Sequence, residues 1–362
     1  LTVAPYVPAY INGLPVKLPG TTNDFSTYHF FEIDKLGNQA KTNSRFFTVN
    51  LSAEYQVPFI SGLKARASYG RTMQASAGNQ IGTKYQLYEF SGLGDHGHIY
   101  EGASNYTLRT ASNGNRLYYS NSNGSNTQLN FFLNYEKQIG KHNISGLFSV
   151  ERGEAKGGQE DVWKSDPLDG TNGQFNTASG TIDGRTQAWE SGSLGYIGRV
   201  NYRYAEKYLA EFLFRTDAST KFAPENYWGR FYSASIGWVA SEEDFFNIEG
   251  IDFLKLRYST GLMGNDRFQP WAWRQRYTFQ GGKGGVFGGN GNATTGMKME
   301  RSPNRDATWS DEFKNNLGID ARFLNNRLSA TIEGYYNKGY NILIERVGNV
   351  PVTVGGSTAA EN

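Results

Sequence analysis

The chain has no cysteine among its 362 residues. That excludes disulfide frameworks, thiolate-bound zinc, iron–sulfur clusters and thiol nucleophiles. Histidine is nearly as scarce: His29, His96, His98 and His142 are the full complement, so imidazole chemistry has few places to occur. Charge of one sign is also missing. The 36 Lys+Arg against 34 Asp+Glu leave a net +2, without the basic excess that a nucleic-acid binder driven by bulk charge requires. No run approaches 18 consecutive apolar residues, which excludes a transmembrane helix. A transmembrane β-barrel escapes that test, because its strands alternate. No basic segment followed by an apolar run opens the chain at Leu1, so no signal peptide is expected within it. Both termini are expected to be cuts in a longer protein.

Glycine and aromatics are abundant. The 44 glycines make about 12% of the chain, against a usual ~7%, and Phe, Tyr and Trp make 15%. Period 2 organises them. Phe47, Val49, Leu51, Ala53, Tyr55 and Val57 alternate with Thr48, Asn50, Ser52, Glu54 and Gln56, the pattern of a strand with one apolar and one polar face. After a turn at 58–62 the alternation resumes from Leu63 to Tyr69. Four further hairpins are predicted on the same plan: 128–138 with 143–152, 194–204 with 208–217, 230–240 with 252–262, and 314–323 with 327–338.

Charges keep to the polar face, with exceptions such as Lys137 and Arg152 at strand ends. Glu54, Lys64, Arg66, Glu136, Glu151, Arg199, Arg203, Glu211, Arg215, Lys255, Arg257, Asp320, Arg322 and Glu333 all fall there. A lipid-facing Lys or Arg costs roughly 2–4 kcal/mol at the bilayer midplane, but a soluble core rejects charge equally well. Lengths separate the two cases. The predicted strands run about 9–12 residues, against an average of ~5–6 for ordinary strands and ~9–11 for tilted membrane strands. Short turns alternate with long links at 72–127, 153–193 and 263–313, the asymmetry of an outer-membrane barrel. A soluble sandwich would show shorter strands and turns every 8–12 residues. The expected fold is therefore all-β, an antiparallel transmembrane β-barrel with long extracellular loops and short periplasmic turns, and no second domain.

Catalytic signals are weak. His96-Gly97-His98 lacks a third metal ligand nearby. Asp166-Pro-Leu-Asp169-Gly170 with Asn172 lacks the ligand spacing and closing Glu of a calcium loop. The Gly-rich stretch 281–289 lacks the Gly-Lys-Ser/Thr ending of a phosphate cradle. The acid pairs Glu160-Asp161 and Glu242-Glu243-Asp244 are expected in solvated loops, and there is no nucleophile elbow. No enzyme, metal or cofactor is expected. Trp163, Trp228, Trp271 and Trp273 lie in or beside the long links, where they could stack on a ligand or belong to an aromatic girdle at the headgroup level.

Several stretches carry a family resemblance. They are Gly114-Asn-Arg-Leu-Tyr-Tyr-Ser-Asn-Ser-Asn123, Gly140-Lys-His-Asn143, and Asp217-Ala-Ser-Thr-Lys-Phe222 leading to Trp228-Gly-Arg-Phe231, Gly237-Trp238 and Ser241-Glu-Glu243. Leu254-Lys-Leu-Arg257 with Gly261 and Gly264-Asn265 follows, then Asn325-Asn-Arg-Leu328 and Tyr335-Tyr-Asn-Lys338. In these the chain resembles the SusC/RagA-type TonB-dependent transporters of the Bacteroidota outer membrane, from about residue 28 to 345. The resemblance implies a 22-stranded barrel of which residues 1–362 are the central part. The plug domain, TonB box and terminal strands then lie outside this sequence. It implies active import of an oligosaccharide, or of a peptide as in the RagA branch. The implied partners are a SusD-like surface lipoprotein as lid, the TonB–ExbB–ExbD energy system and outer-membrane lipid, with no nucleic acid. Arg199, Arg203, Glu211, Arg215, Lys255 and Arg257 would face the lumen, holding the plug, contacting solute or pairing with one another. The alternatives are a siderophore receptor of the same class, a soluble β-sandwich adhesin or glycan-binding module and, less in keeping with the missing active site, a soluble hydrolase.

Overall fold

The computed structural model describes residues 8–17, 28–92, 98–99, 102–289, 291–300, 303–347 and 358–361. Ten strands form one antiparallel meander. In chain order they are β3 (Gln39–Gln56), β4 (Leu63–Phe90), β5 (Tyr106–Ile139), β6 (His142–Ser165), β7 (Ile182–Tyr204), β8 (Tyr208–Ser219), β9 (Trp228–Val239), β10 (Ile251–Asn265), β13 (Ser310–Phe323) and β14 (Leu328–Tyr340). Each pairs with its neighbour in that order, and β3 and β14 are the two edges. Small hairpins β1–β2 (Tyr10–Ile11, Leu14–Pro15), β11–β12 (Tyr277–Gln280, Gly296–Met299) and β15–β16 (Ile344–Val347, Thr358–Glu361) accompany it, with a six-residue helix α1 (Phe30–Lys35).

All five predicted hairpins are present, but the long links are shorter than the sequence suggests. β4 continues to Phe90 and β5 begins at Tyr106, so most of 72–127 is strand. Likewise β6 reaches Ser165 and β7 starts at Ile182. The polar run 121–126 and Gly157-Gly158 lie inside strands, not loops. Local strand propensity there is poor, yet β5 and β6 are each paired on both sides, and a ladder on both edges overrides propensity.

The chain divides into two compact units. One comprises 1–47, 73–125 and 157–189. Within it Ile33 of α1 packs with Tyr85, Leu87 and Ala111, and Ile81 with Leu117 and Ala178. The His29 side chain caps α1, accepting from the Glu32 N–H.

The other unit comprises 48–72, 126–156 and 190–362, and here the two faces of the sheet differ sharply. Register places Val200, Phe212, Ala234, Thr260, Asn315 and Tyr336 in one cross-strand row, and Tyr202, Ala210, Ile236, Tyr258, Leu317 and Gly334 in the next on the same face. These side chains are bare: Val200 is 53% exposed, Phe212 53%, Ile236 62% and Leu317 58%. Fully burying one such side chain is worth about 1.5–3 kcal/mol. A β-sandwich covers this face with a second sheet; in this unit no second sheet is stacked on it among the described residues. The intervening rows carry Asn201, Glu211, Ser235, Ser259, Asn316 and Tyr335, then Arg203, Leu209, Gly237, Arg257, Gly318 and Glu333. One face is thus apolar and unpacked, the other polar and charged.

Candidate functional site

The charged face of the second unit holds a cavity of about 520 Å3. Arg203, Glu211, Lys255 and Arg257 line it around a floor of Ser235, Gly237 and Ser259. The small floor residues leave the dent, and the register brings charges from β7, β8 and β10 to its rim. Arg257 donates from Nε to Asp320 at 3.0 Å and from Nη2 to Glu333. Arg203 pairs with Glu206 at 3.1 Å. Glu211 and Lys255 make no ion pair among the described residues. Arg215 sits apart, bound to Asp217 at 2.6 Å and Glu151 at 3.4 Å. Arg199 lies opposite Leu213 on the same face. Four of the six lumen candidates therefore share one cavity.

The four tryptophans do not converge. Trp228 stands on the apolar face, stacked on Tyr196 with centroids 6.0 Å apart and planes at 18°. At the turn end of that face Tyr204 stacks on Tyr208 at 6.3 Å, in the row of Trp238. Trp228 and Trp238 bracket β9, a 12-residue strand; at ~3.4 Å per residue, and at the ~40° tilt usual in a barrel, they would stand about 26 Å apart along its axis. That is the height of the apolar band of an outer-membrane barrel, with aromatics at both borders.

Trp271 and Trp273 belong to the link between β10 and β13. Trp273 is buried with Phe222, Ala223, Phe268 and Ala307 in a core of their own. Trp271 has φ +65° and lines a cavity of about 360 Å3 with Tyr227, Leu194, Ala218 and Arg152. The Arg274 guanidinium packs 4.5 Å from the Trp271 ring and 4.8 Å from that of Trp273. A polar cavity of about 430 Å3, lined by Asn50, Gln128, Glu154, Ser219, Lys221 and Asp266 among others, completes this set.

Trp163 lies in the first unit, with partners the sequence reading did not single out. Its ring stacks on Tyr118 at 6.2 Å and 28°. Arg116 lies over both, 4.7 Å from the Tyr118 centroid and 5.8 Å from that of Trp163. Beside them Asp161 is buried, 4% exposed. It accepts from Gln159 Nε2 at 2.9 Å and Arg185 Nε at 2.7 Å. This corrects the expectation of a solvated Glu160-Asp161 loop: both lie in β6, and the strand's alternation turns Asp161 inward. Period 2 would have grouped Arg116 with Tyr118, and Asp161 with Trp163, had β5 and β6 been extended to their true ends.

Two motifs now have physical roles. In 217–222, Ser219 Oγ donates to Asp266 at 2.8 Å, Lys221 pairs with the same carboxylate at 3.0 Å, and Phe222 enters the loop core. The run therefore ties the β8–β9 link to the end of β10. Glu243, also expected in a solvated loop, is a hub. Its carboxylate accepts from Tyr208 Oη at 2.5 Å, Trp238 Nε1 at 3.1 Å and Lys207 Nζ at 3.1 Å. The Tyr208 bond foremost, then Trp238 and Lys207, hold its pKa below the usual carboxylate range.

Asp169 accepts from the Thr171 N–H and hydroxyl and the Asn172 N–H, so its Oδ1 closes a polar turn. Backbone donors, Asn172 first, depress its pKa. Among the described residues no three His, Cys, Asp or Glu groups are placed to hold a metal; His96 and Gly97 lie outside the described residues. The 281–289 stretch leads through the β11–β12 hairpin, its Gly284 N–H donating to the Thr294 carbonyl at 2.8 Å.

No family model matches the chain. It is similar to the TonB-dependent receptor SusC of Bacteroides thetaiotaomicron, 25% identical over 315 residues, covering 84% of this chain and 28% of that protein. It is also similar to the TonB-dependent receptor P39 of Formosa agariphila, 30% identical over 229 residues, covering 61% of this chain and 20% of that one. The chain thus spans less than a third of the length of these curated relatives. A solved structure of the RagAB peptide transporter superposes with a TM-score of 0.73 at 17% identity, over 97% of this chain and 36% of that one. The fold is the strand meander of such a barrel.

Proposed function

This chain belongs with the SusC/RagA-like TonB-dependent receptors, and from that premise we propose that it forms the central wall of an outer-membrane importer for an oligosaccharide. One observation carries the membrane part of the reading. The sheet has an uncovered apolar face about as tall as a bilayer core, bordered by Trp228–Tyr196 and Tyr204–Tyr208–Trp238, with most charge on the opposite face and Arg230, Asp311 and Lys338 near the loop-side ends of strands on the apolar one. Bare Val, Ile, Leu and Phe in such number are stable against lipid and costly against water.

The wall does no covalent chemistry in this reading. The loop-end cavities and the Trp163 stack contact solute first. The cavity of Arg203, Glu211, Lys255 and Arg257 then faces the moving contents of the lumen, a plug domain or the solute itself. Its charges of both signs suit a polar, solvated interior more than an ion-selective pore. A SusD-like surface lipoprotein would close over the loops, and the TonB–ExbB–ExbD system would supply the energy through a region outside this chain. Aromatic stacks favour a glycan, whose pyranose rings present flat C–H faces.

The test is genetic. Removing the receptor gene from the source cells should abolish growth on one class of polysaccharide and leave growth on its monosaccharides intact. Removing TonB should reproduce the defect. Loss of growth on peptides alone would replace the substrate reading with a peptide importer.

A further inference from the structure

At its loop end, the polar face of the second unit changes chemistry. The cavity of about 430 Å3 there is lined by Asn50, Thr72, Asn126, Gln128, Ser191 and Ser193, with Lys221 and Asp266 at its rim. Contacts place these strands' neutral groups on one face. Thr72 Oγ1 lies 3.0 Å from Thr48 Oγ1. Gln128 Nε2 donates to Asn130 Oδ1 at 2.6 Å, and Asn130 Nδ2 donates to Ser68 Oγ at 3.2 Å. A Cβ on Gly70 would crowd the Asn50 amide oxygen, and one on Gly153 the Ser193 hydroxyl, so the two glycines leave room for those heads to lie against the sheet. Asn50, Asn126 and Ser193 are exposed, within reach of a solute in the cavity.

The charges at this cavity are already answered. Lys221 Nζ pairs with Asp266 at 3.0 Å, and Ser219 Oγ donates to the same carboxylate at 2.8 Å. Arg71 and Glu154 also border the cavity. Each follows a glycine of the polar face, Gly70 or Gly153, so strand alternation turns its side chain to the other face, where Glu154 pairs with Arg152 at 3.6 Å. By contrast, the side chains of Asn50, Asn126, Ser191 and Ser193 make no hydrogen bond among the described residues. The unspent hydrogen-bonding capacity is therefore neutral, and it has both signs: an amide carries two donors and a carbonyl acceptor, a hydroxyl one donor and two lone pairs. Each hydroxyl of a pyranose is likewise donor and acceptor. A carboxylate or sulfate brings acceptors only, and would leave water with no free cation on this face of the cavity to replace it.

We propose that Asn50, Asn126, Ser191 and Ser193 form a subsite for a neutral sugar residue, a pyranose bearing hydroxyls and no ionised group. The proposal deepens the glycan reading above and rests on it. The cavity's volume falls within the ~300–1,000 Å3 usual for a small-ligand site. Its four free heads bind hydroxyls by exchange of hydrogen bonds, and the closed Lys221–Asp266 pair offers an anionic sugar no counter-charge, so the site discriminates by charge.

The test uses the receptor purified from outer membranes with whatever lipoprotein accompanies it. It is applied to an array of neutral, uronate-containing and sulfated oligosaccharides, together with short peptides. Retention of neutral oligosaccharides in preference to the charged ones is expected. Titration of the best-retained oligosaccharide should show a loss of affinity of about 2–10-fold in Asn126→Ala and in Ser193→Ala, as for single neutral hydrogen bonds, and of at least tenfold in the double variant. Heat-modifiable electrophoretic mobility would confirm that each variant is folded. Preference for uronate or sulfated sugars, a double variant that binds as the parent does, or no retention at all would overturn the proposal. Preference for charged sugars leaves the glycan reading standing, whereas retention of peptides and no sugars removes both.

Discussion

The ring of Phe231 lies against the bare backbone of Gly264, where a Cβ would overlap it. Phe231 is buried on the polar face and cannot swing away, because Trp309 meets it edge-on at 5.4 Å and 63°. Trp309 in turn donates from Nε1 to the Tyr227 carbonyl at 3.1 Å. The Gly264 position thus registers the loop core against the ends of β9 and β10. Gly264→Ala should destabilise by about 1–3 kcal/mol through overpacking, read as a lower unfolding midpoint in denaturant. Phe231→Leu combined with Gly264→Ala should recover part of it.

The apolar face makes a paired prediction on β9. Ile236 is 62% exposed there, while its neighbour Ser235 lines the charged cavity. Ile236→Arg, about 5 Å inside the Trp238 border, should lower folding stability in lipid by about 1–3 kcal/mol, between the interfacial and midplane costs of a charge. Ser235→Arg should cost far less, because it enters a polar lumen. Refolding into vesicles with a urea titration measures both.

Phe222 stacks on Phe268 with centroids 5.7 Å apart and planes at 10°, and it is 1% exposed. Removing its ring opens a cavity in the loop core. Phe222→Ala should cost that core about 3–5 kcal/mol. The expected sign is limited proteolysis within 266–309 while the barrel keeps its heat-modifiable mobility.

Glu243 should make the turn end acid-sensitive. Its folded pKa lies below the ordinary carboxylate value, so it contributes stability at pH values above the unfolded pKa of about 4.3. That contribution is lost as pH falls through the folded value. Glu243→Gln should remove this part of the acid dependence and lower the melting temperature at neutral pH. Thermal melts of parent and variant from pH 3 to 7 should converge at the acid end.

The sequence carried the architecture well because alternation and charge placement obey one constraint along every strand. Phe47 to Val57 and Leu194 to Tyr204 are legible by period alone. The long extensions were not, since 121–126 and Gly157-Gly158 lack strand propensity and become strand only through pairing on both sides. That misplacement hid the Arg116–Tyr118–Trp163 stack, whose members come from β5 and β6. Arg203, Glu211, Lys255 and Arg257 were identifiable as one face; their gathering around a single cavity depends on Ser235, Gly237 and Ser259 being small in register. Glu243 was hidden by its acidic neighbours, which made a hub resemble a solvated run.

The most direct test of the account is which medium each face meets. This stretch contributes no cysteine, so single cysteines can be placed at Ile236 and Ser235 in the full receptor, folded in native outer membranes. The account predicts that a fluorophore at Ile236 is quenched by nitroxide-labelled lipid and shielded from aqueous iodide, and that one at Ser235 shows the reverse. Aqueous quenching at Ile236 with no effect of the lipid nitroxide would contradict it, and the apolar face would then need a protein partner in place of the bilayer.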